Sequence, residues 1–208
     1  MTLLWITFAT GFGLGLAIAM PVGPVSLLCI QQCLTRGFRG GMAAGTGVAL
    51  ADATYAAIAA FGLTVIIAFL VGLQTPLRVA GLIAMLGLAW RIWREAGVPK
   101  HMAAAPGSGA ATTLQMYVLT LANPMTILTF LALFVGAGVG LAGGYEYSAA
   151  LTVGTFTGSF AWWIVLSGVV STVRARLTDE TLVWINRASA VIIAAFALWI
   201  GLKLVQGW

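Results

Sequence analysis

One acidic residue lies deep inside an apolar stretch of the chain. Asp52 stands within the hydrophobic segment 42–70. Placing a charged carboxylate at the centre of a bilayer costs at least about 2.5 kcal/mol, so an ionisable residue there favours a functional role. A protonated Asp52 that can lose its proton to a cavity would couple protons to another process, and its carboxylate would equally bind a substrate amine. A structural hydrogen bond to a broken helix nearby is the alternative.

Two proline motifs interrupt apolar stretches at corresponding places in the two halves of the chain. The first reads PVGP at 21–24 and the second reads NP at 123–124. Proline removes a helical hydrogen bond and clashes with the preceding turn, so each motif should leave backbone groups without helical partners. Such groups are tolerated at membrane depth where they face protein or a water-filled cavity. The sequence therefore predicts two broken helices whose ends could bind charged groups, with a structural kink as the alternative.

Small residues lead to Asp52 along one face of its helix. Gly41, Gly45 and Ala49 recur at four-residue spacing, and Asp52 follows on the same face. Such a ridge lets two membrane helices approach closely. Four side chains near the breaks and ridges are candidates for lining a binding site: Ser26, Thr155, Ser159 and Trp162. Helix packing and hydroxyl bonds to the same helix are the structural alternatives for these residues.

The chain around these residues is too apolar for a water-soluble domain. Hydrophobic residues make up 61% of the 208 residues and charged residues 7%, so the solvent must be lipid. Six apolar segments follow one another: 3–30, 42–70, 77–93, 114–139, 148–173 and 185–205. The sequence predicts an all-α integral membrane protein of six transmembrane helices, in contact with the lipid bilayer and without a nucleic-acid partner.

A segment rich in Ala, Gly, Ser and Pro divides the chain into two similar halves. It covers 95–112 and separates a first three-helix repeat, 1–94, from a second, 113–208. Because three helices per repeat is an odd number, the second repeat must enter the membrane from the opposite side. Inverted repeats recur in secondary transporters, where the binding site lies near the bilayer midplane.

The basic residues are distributed unevenly between the two sides of the membrane. Eight of the ten lie in or beside the first, third and fifth connections: Arg36, Arg39, Arg91, Arg94, Lys100, Arg174, Arg176 and Arg187. Connections with an excess of Lys and Arg lie in the cytoplasm. The pattern therefore predicts a cytoplasmic linker and places both the N and the C terminus on the outer side of the membrane.

Other residues with distinctive chemistry are few. Cys29 and Cys33 are the only cysteines and His101 is the only histidine. No spacing typical of a metal site is present, and we expect no enzyme activity and no cofactor. A membrane thiol-disulfide electron carrier that uses one cysteine in each repeat is an alternative, but here both cysteines lie in the first repeat, which argues against it. A metal or ion transporter would need more ligands, and a purely structural subunit would leave the paired breaks unexplained.

Four stretches together resemble the LysE/RhtB family of amino-acid exporters: MPVGP, RGFRGGMAAGTGVALAD, LTLANP and GTFTGSFAWW. The resemblance extends over essentially the whole chain. It implies a bacterial inner-membrane protein that exports amino acids or related small metabolites in exchange for protons. The matching positions are Pro21, Gly23, Pro24, Asp52, Asn123 and Pro124. Met125 stands where many members have a Lys, and the residues do not select one substrate. The glycine ridges are compatible with internal packing and with a homo-oligomer.

Overall fold

The computed structural model describes residues 1–21, 23–61, 74–95, 108–123, 126, 130, 144–174 and 178–206. Within these residues the chain forms helices and no strand. The helices are α1 (Thr2–Ala19), α2 (Pro24–Ala60), α3 (Gln74–Glu95), α4 (Gly109–Leu121), α5 (Tyr145–Arg174) and α6 (Asp179–Val205). The prediction of an all-α protein is therefore confirmed for the described residues.

Local sequence signals explain where several helices begin. Ser108 precedes α4, and its side-chain oxygen accepts a hydrogen bond from the Ala111 amide at 3.2 Å. Thr178 caps α6 in the same way through the amide of Thr181. Pro24 occupies the first position of α2, where its missing amide hydrogen would have no helical partner. These caps satisfy backbone donors that a helix start otherwise leaves free.

Helix α2 reverses direction at Gly37. This glycine has φ 69° and ψ −162° inside the helix, a conformation that residues with a Cβ rarely adopt. A Cβ on Gly41 would collide with the Cys33 sulfur, although residues eight apart on a straight helix are separated by about 12 Å. Residues 24–36 (segment α2a) and 38–60 (segment α2b) therefore fold back on each other. The reversal lies in the predicted connection between the first two apolar segments.

The helices pack around α2 and α5. Helix α5 contacts both α1 and α2, α2 also contacts α4, and α3 packs against α6. Glycines allow the close approach of α1 to α5, because a Cβ on Gly11 or Gly15 would collide with the α5 backbone at Leu151 or Thr155. On α5, a Cβ on Gly154 would in turn collide with the backbone of α1. These glycines thus serve helix contacts within one chain.

Three helices of the described part are long and apolar enough to cross a membrane. They are Thr2–Ala19, Val25–Ala60 and Tyr145–Arg174, and Val183–Trp199 is a shorter apolar helix. Segment α2b alone extends over roughly 34 Å at the helical rise, which exceeds the hydrocarbon thickness of about 30 Å. Large apolar side chains such as Val165 and Leu198 lie on the outside, as expected for surfaces in contact with lipid.

Polar contacts mark the two ends of the helices. At one end, Arg36 Nη1 donates to Thr112 Oγ1 at 3.0 Å, and Arg174 Nη2 donates to the Thr35 carbonyl at 2.9 Å. These bonds join the turn of α2, the start of α4 and the end of α5. At the opposite end, the hydroxyl of Ser148 in the first turn of α5 donates to the last carbonyl of α2 at 2.7 Å.

Candidate functional site

Asp52 lies at the contact between α2b and α5, where a chain of hydrogen bonds ends on its carboxyl group. Ser159 Oγ donates to Asp52 Oδ2 at 2.7 Å, and Trp163 Nε1 donates to Ser159 Oγ at 3.2 Å. All three side chains are at most 1% exposed. The sequence-predicted pair Asp52 and Ser159 is thus brought into direct contact, although the two residues are 107 positions apart.

The small-residue ridge of α2b sets the position of this network. A Cβ on Gly41 would collide with Ser167, and one on Gly45 would collide with the Cβ of Trp163. As the residue number rises along α2b, the contacted residue number falls along α5, so the two helices are antiparallel. Ser159, Trp163 and Ser167 recur at four-residue spacing and form the buried stripe of α5 that faces the ridge. Gly45 leaves the space in which the Trp163 side chain turns towards Ser159.

The described surroundings of Asp52 supply no cationic partner. Ser159 donates its hydrogen bond, and Cys29 and Tyr55 are near enough to interact with its charge. No described Lys or Arg forms an ion pair with this carboxyl group. An ionised carboxylate that is buried away from water needs a compensating charge. The arrangement is therefore suited to take up either a proton or a cationic group of a ligand.

Thr155 and Trp162 lie near this network without joining it. The Thr155 side chain is fully buried, and its hydroxyl donates to the Leu151 carbonyl of its own helix at 2.9 Å. Trp162 is partly buried and packs against the apolar core. Its neighbour Trp163 carries the hydrogen bond to Ser159. Spacing alone did not identify Trp163, because Trp162 and Trp163 lie three and four residues after Ser159 and both spacings place a residue near the same helix face.

The first proline motif separates α1 from α2. Helix α1 ends at Ala19 and α2 begins at Pro24, and Pro21 and Gly23 lie between them. Ser26 Oγ donates to the Pro21 carbonyl at 3.1 Å. A side-chain hydroxyl in the first turn of α2 thus satisfies a carbonyl next to the motif.

The second motif follows the end of α4. This helix ends at Leu121, and the Asn123 amide donates to the Thr120 carbonyl at 3.2 Å. Pro124 lies outside the described residues, and no statement about its geometry follows. The Leu121 carbonyl accepts a hydrogen bond from the Tyr55 hydroxyl at 2.6 Å. Tyr55 was not among the residues singled out from the sequence, since no local pattern marks a partner 66 residues away.

In the part of the chain that the structure describes, the two cysteines form no disulfide, and the acidic residues belong to no metal-binding cluster. Cys29 and Cys33 are both buried, both free and both in α2a. No group of three or more His, Cys, Asp or Glu side chains among the described residues could hold a metal ion.

The helices, the paired motifs and the buried carboxyl group are features of a membrane transporter, and comparison with known proteins identifies its kind. The chain belongs to the LysE type translocator family, whose family model matches residues 16–204. The match extends from the last turns of α1 into α6 and includes the whole candidate site.

Individual relatives give a similar result. The chain is 25% identical over 208 residues to the threonine efflux protein of Escherichia coli (strain K12), covering 95% of this chain and 97% of that protein. It is 24% identical over 199 residues to the putative amino acid efflux protein YcgF of Bacillus subtilis (strain 168), covering 93% and 94% of the two chains. The uncharacterized membrane protein YahN of Escherichia coli (strain K12) is 30% identical over 108 residues, which cover 50% of this chain and 48% of YahN. The chain thus spans about half the length of YahN in that match, and no solved structure matches it.

Proposed function

We propose that this protein exports amino acids or closely related metabolites from the cytoplasm and couples export to proton import. The observation that carries the proposal is the buried Asp52 carboxyl group, which receives a hydrogen bond from Ser159 and has no cationic partner among the described residues. Membership of a translocator family supports transport. The names of two relatives, one for threonine efflux and one for putative amino acid efflux, support the substrate class.

A single carboxyl group can exchange a proton for a substrate amine. Protonation neutralises Asp52, whereas the ionised form attracts an ammonium group. If both ligands use this carboxyl group, then a proton entering from the periplasm displaces the substrate, and the substrate entering from the cytoplasm displaces the proton. Binding of the two is then mutually exclusive, which is the condition for coupled exchange.

The proposed architecture has six spans in two inverted repeats. If the two repeats are interchanged, α1 corresponds to α4, α2 to α5 and α3 to α6. The contact between α1 and α5 then corresponds to the contact between α4 and α2. The contacts of α2 with α5 and of α3 with α6 are converted into themselves, whereas the smaller contacts of α2 with α6 and of α1 with α2 have no counterpart of similar size among the described residues. This correspondence favours a two-fold axis through the contact that holds Asp52. Transporters with such an axis bind their substrates beside it.

The two proline motifs would form the remainder of the substrate cradle. Pro21, Gly23 and Pro24 separate two helical segments in the first repeat, and Asn123 and Pro124 would do so in the second. Carbonyls next to both motifs accept bonds from hydroxyl groups of α2, those of Ser26 and Tyr55. Such bonds satisfy the backbone in one state and can be exchanged for substrate groups in another.

The proposed orientation places the linker in the cytoplasm and both termini in the periplasm, in a bacterial inner membrane. Bonds from Arg36 and Arg174 bring the turn of α2, the start of α4 and the end of α5 to one end. The Arg187 guanidinium lies 5.6 Å from the centroid of the Trp93 ring, which joins the end of α3 to the third turn of α6. All these segments flank the connections that are rich in basic residues, as the positive-inside rule requires.

Uptake of amino acids into inside-out vesicles with an acidic lumen tests this function. We expect selective uptake above that of empty vesicles, and a loss of about tenfold or more in Ser159→Ala, because the carboxyl group loses its donor and the Trp163 indole loses its acceptor. Ser167→Ala is the matched control, since this buried serine lies on the same stripe and faces Gly41 instead of Asp52. Uptake of no amino acid, or equal effects of the two variants, would contradict the proposal.

A further inference from the structure

Tyr55 contacts the chain on both sides of the second proline motif. Its hydroxyl donates to the Leu121 carbonyl, before the motif, at 2.6 Å. Its ring packs against Phe130, after the motif, with centroids 5.4 Å apart and planes inclined at 32°. The side chain is only 5% exposed. One residue of α2b thus bridges the interruption of another helix.

The phenol supplies a donor where the helix cannot. The last carbonyls of any helix have no amide partners within that helix, and lipid offers no replacement. Helix α4 ends at Leu121, and the Tyr55 hydroxyl of another helix donates a hydrogen bond to the Leu121 carbonyl. The local geometry at the end of α4 therefore depends on the position of α2b.

Asp52 and Tyr55 lie three residues apart, one turn of the same helix. This turn therefore contacts α5 through the bond between Ser159 and Asp52 and contacts α4 through the bond between Tyr55 and Leu121. Tyr55 also belongs to an apolar cluster with the fully buried Leu151 of α5. A shift of α2b against α5 would move the phenol relative to the end of α4.

We propose that Tyr55 is a positioning residue that transmits the state of the Asp52 carboxyl group to the second proline motif. The inference deepens the proposed function and rests on it for its role in transport. When Asp52 gains a proton or a cation, its negative charge is neutralised, and the charge-assisted hydrogen bond from the Ser159 hydroxyl weakens. The resulting movement of α2b reaches the Leu121 carbonyl through a single hydrogen bond.

Few other titratable groups face this turn from the described elements. Cys29 approaches Asp52 from α2a, and Tyr117 approaches Tyr55 from α4. Helix α1 contains no charged or titratable side chain. The titratable side chains of α5 lie near its ends, at Tyr145, Glu146, Tyr147 and Arg174. Helix α6 also packs against α2, and its charged residues are Asp179 and Glu180 at its start, Arg187, and Lys203 in its last turn. Asp52 is therefore the carboxyl group whose protonation or cation binding would move this turn.

Tyr117 provides a matched control. Its hydroxyl is 3.2 Å from Thr54 Oγ1, so it joins the same two helices through a side chain instead of a backbone carbonyl. Tyr117→Phe and Tyr55→Phe each remove one hydroxyl and keep the ring. Only Tyr55→Phe removes the donor at the end of α4.

Hydrogen exchange of the full-length protein in lipid nanodiscs tests the inference without any transport assay. In Tyr55→Phe we expect amides near the end of α4 to exchange about tenfold faster, whereas Tyr117→Phe leaves them unchanged. Asp52→Asn, which imitates the neutral carboxyl group, should alter exchange in this segment when Tyr55 is present and leave it unaltered in Asp52→Asn/Tyr55→Phe. The amides of α5 serve as the internal reference for intact folding.

Two results would overturn the inference: unchanged exchange in Tyr55→Phe, or an Asp52→Asn effect that persists in the double variant. Vesicle uptake measured on the same variants separates this failure from that of the proposed function. If the unmodified protein exports amino acids but the effects of Asp52→Asn and Tyr55→Phe on amide hydrogen exchange are additive, the linkage through Tyr55 is wrong and the proposed export is unaffected. If the effect of Asp52→Asn on amide hydrogen exchange requires Tyr55 but no amino acid is transported, the linkage is supported and the proposed transport role is wrong.

Discussion

The contact between Gly45 and Trp163 gives a quantitative test of how the site is assembled. A Cβ on Gly45 would collide with two atoms of Trp163, including the Cβ atom next to the backbone. Because that atom cannot rotate away, Gly45→Ala must displace α5 from α2b. This displacement breaks the bond from Ser159 Oγ to Asp52 Oδ2, which joins the two helices and is 2.7 Å long.

The expected magnitude follows from two contributions. Overpacking a well-filled contact costs about 1–3 kcal/mol, and loss of the buried hydrogen bond between Ser159 and Asp52 costs about 1–3 kcal/mol more. The higher helix propensity of Ala than of Gly offsets about 1 kcal/mol of this loss in stability. We therefore expect Gly45→Ala to lower the free energy of unfolding by about 1–5 kcal/mol, by combining these ranges.

Gly168→Ala is the matched control, because this glycine lies on α5 and a Cβ there would meet nothing within 4 Å. It should leave stability unchanged or raise it by up to about 1 kcal/mol. Reversible unfolding of both variants in mixed detergent and denaturing micelles, followed by tryptophan fluorescence, measures the difference. Equal stability of Gly45→Ala and the unmodified protein would refute the packing argument, and so would an equal loss in Gly168→Ala.

Two further variants test the turn of α2 and the role of the thiols. Gly37→Ala forces a side chain into the left-handed region and should lower the free energy of unfolding by about 1–2 kcal/mol, measured in the same micelles; no loss would contradict the reversal of α2 at this position. Cys29→Ala/Cys33→Ala should retain at least half of the vesicle uptake, since neither thiol enters the exchange of proton and substrate. Abolished uptake with normal insertion would restore a thiol-based mechanism.

The position of Asp52 illustrates what the residue pattern can predict. Its depth in an apolar segment and the ridge of Gly41, Gly45 and Ala49 indicated a close helix contact. The structure has that contact, with Ser159 as the bonded residue. Spacing along one helix carries this information, because residues three or four apart share a face.

Trp163 and Tyr55 show where such reasoning ends. In a water-soluble helix, polar residues mark the outer face, whereas a membrane helix is apolar all round and its buried face is not marked. Trp162 and Trp163 therefore look equivalent in sequence, and only the register of α5 on α2b distinguishes them. The Tyr55 contact with Leu121 similarly depends on how α2b packs against α4, which no local pattern specifies.

The reversal at Gly37 was only partly predictable. The segment RGFRGG contains basic residues and glycines and was expected to connect two spans. That the helices on both sides would continue to within one residue of the turn depends on tertiary contacts, such as the bond from Arg174 to the Thr35 carbonyl.

Proton movement driven by substrate is the most direct test of the central claim that Asp52 exchanges a proton for an amino acid. Purified protein in liposomes that enclose a pH-sensitive dye would receive an outward or inward gradient of a transported amino acid. We expect the amino acid to move protons in the opposite direction with the unmodified protein, and Asp52→Asn to transport no protons while remaining inserted and folded. Proton movement of equal size in Asp52→Asn would contradict the account.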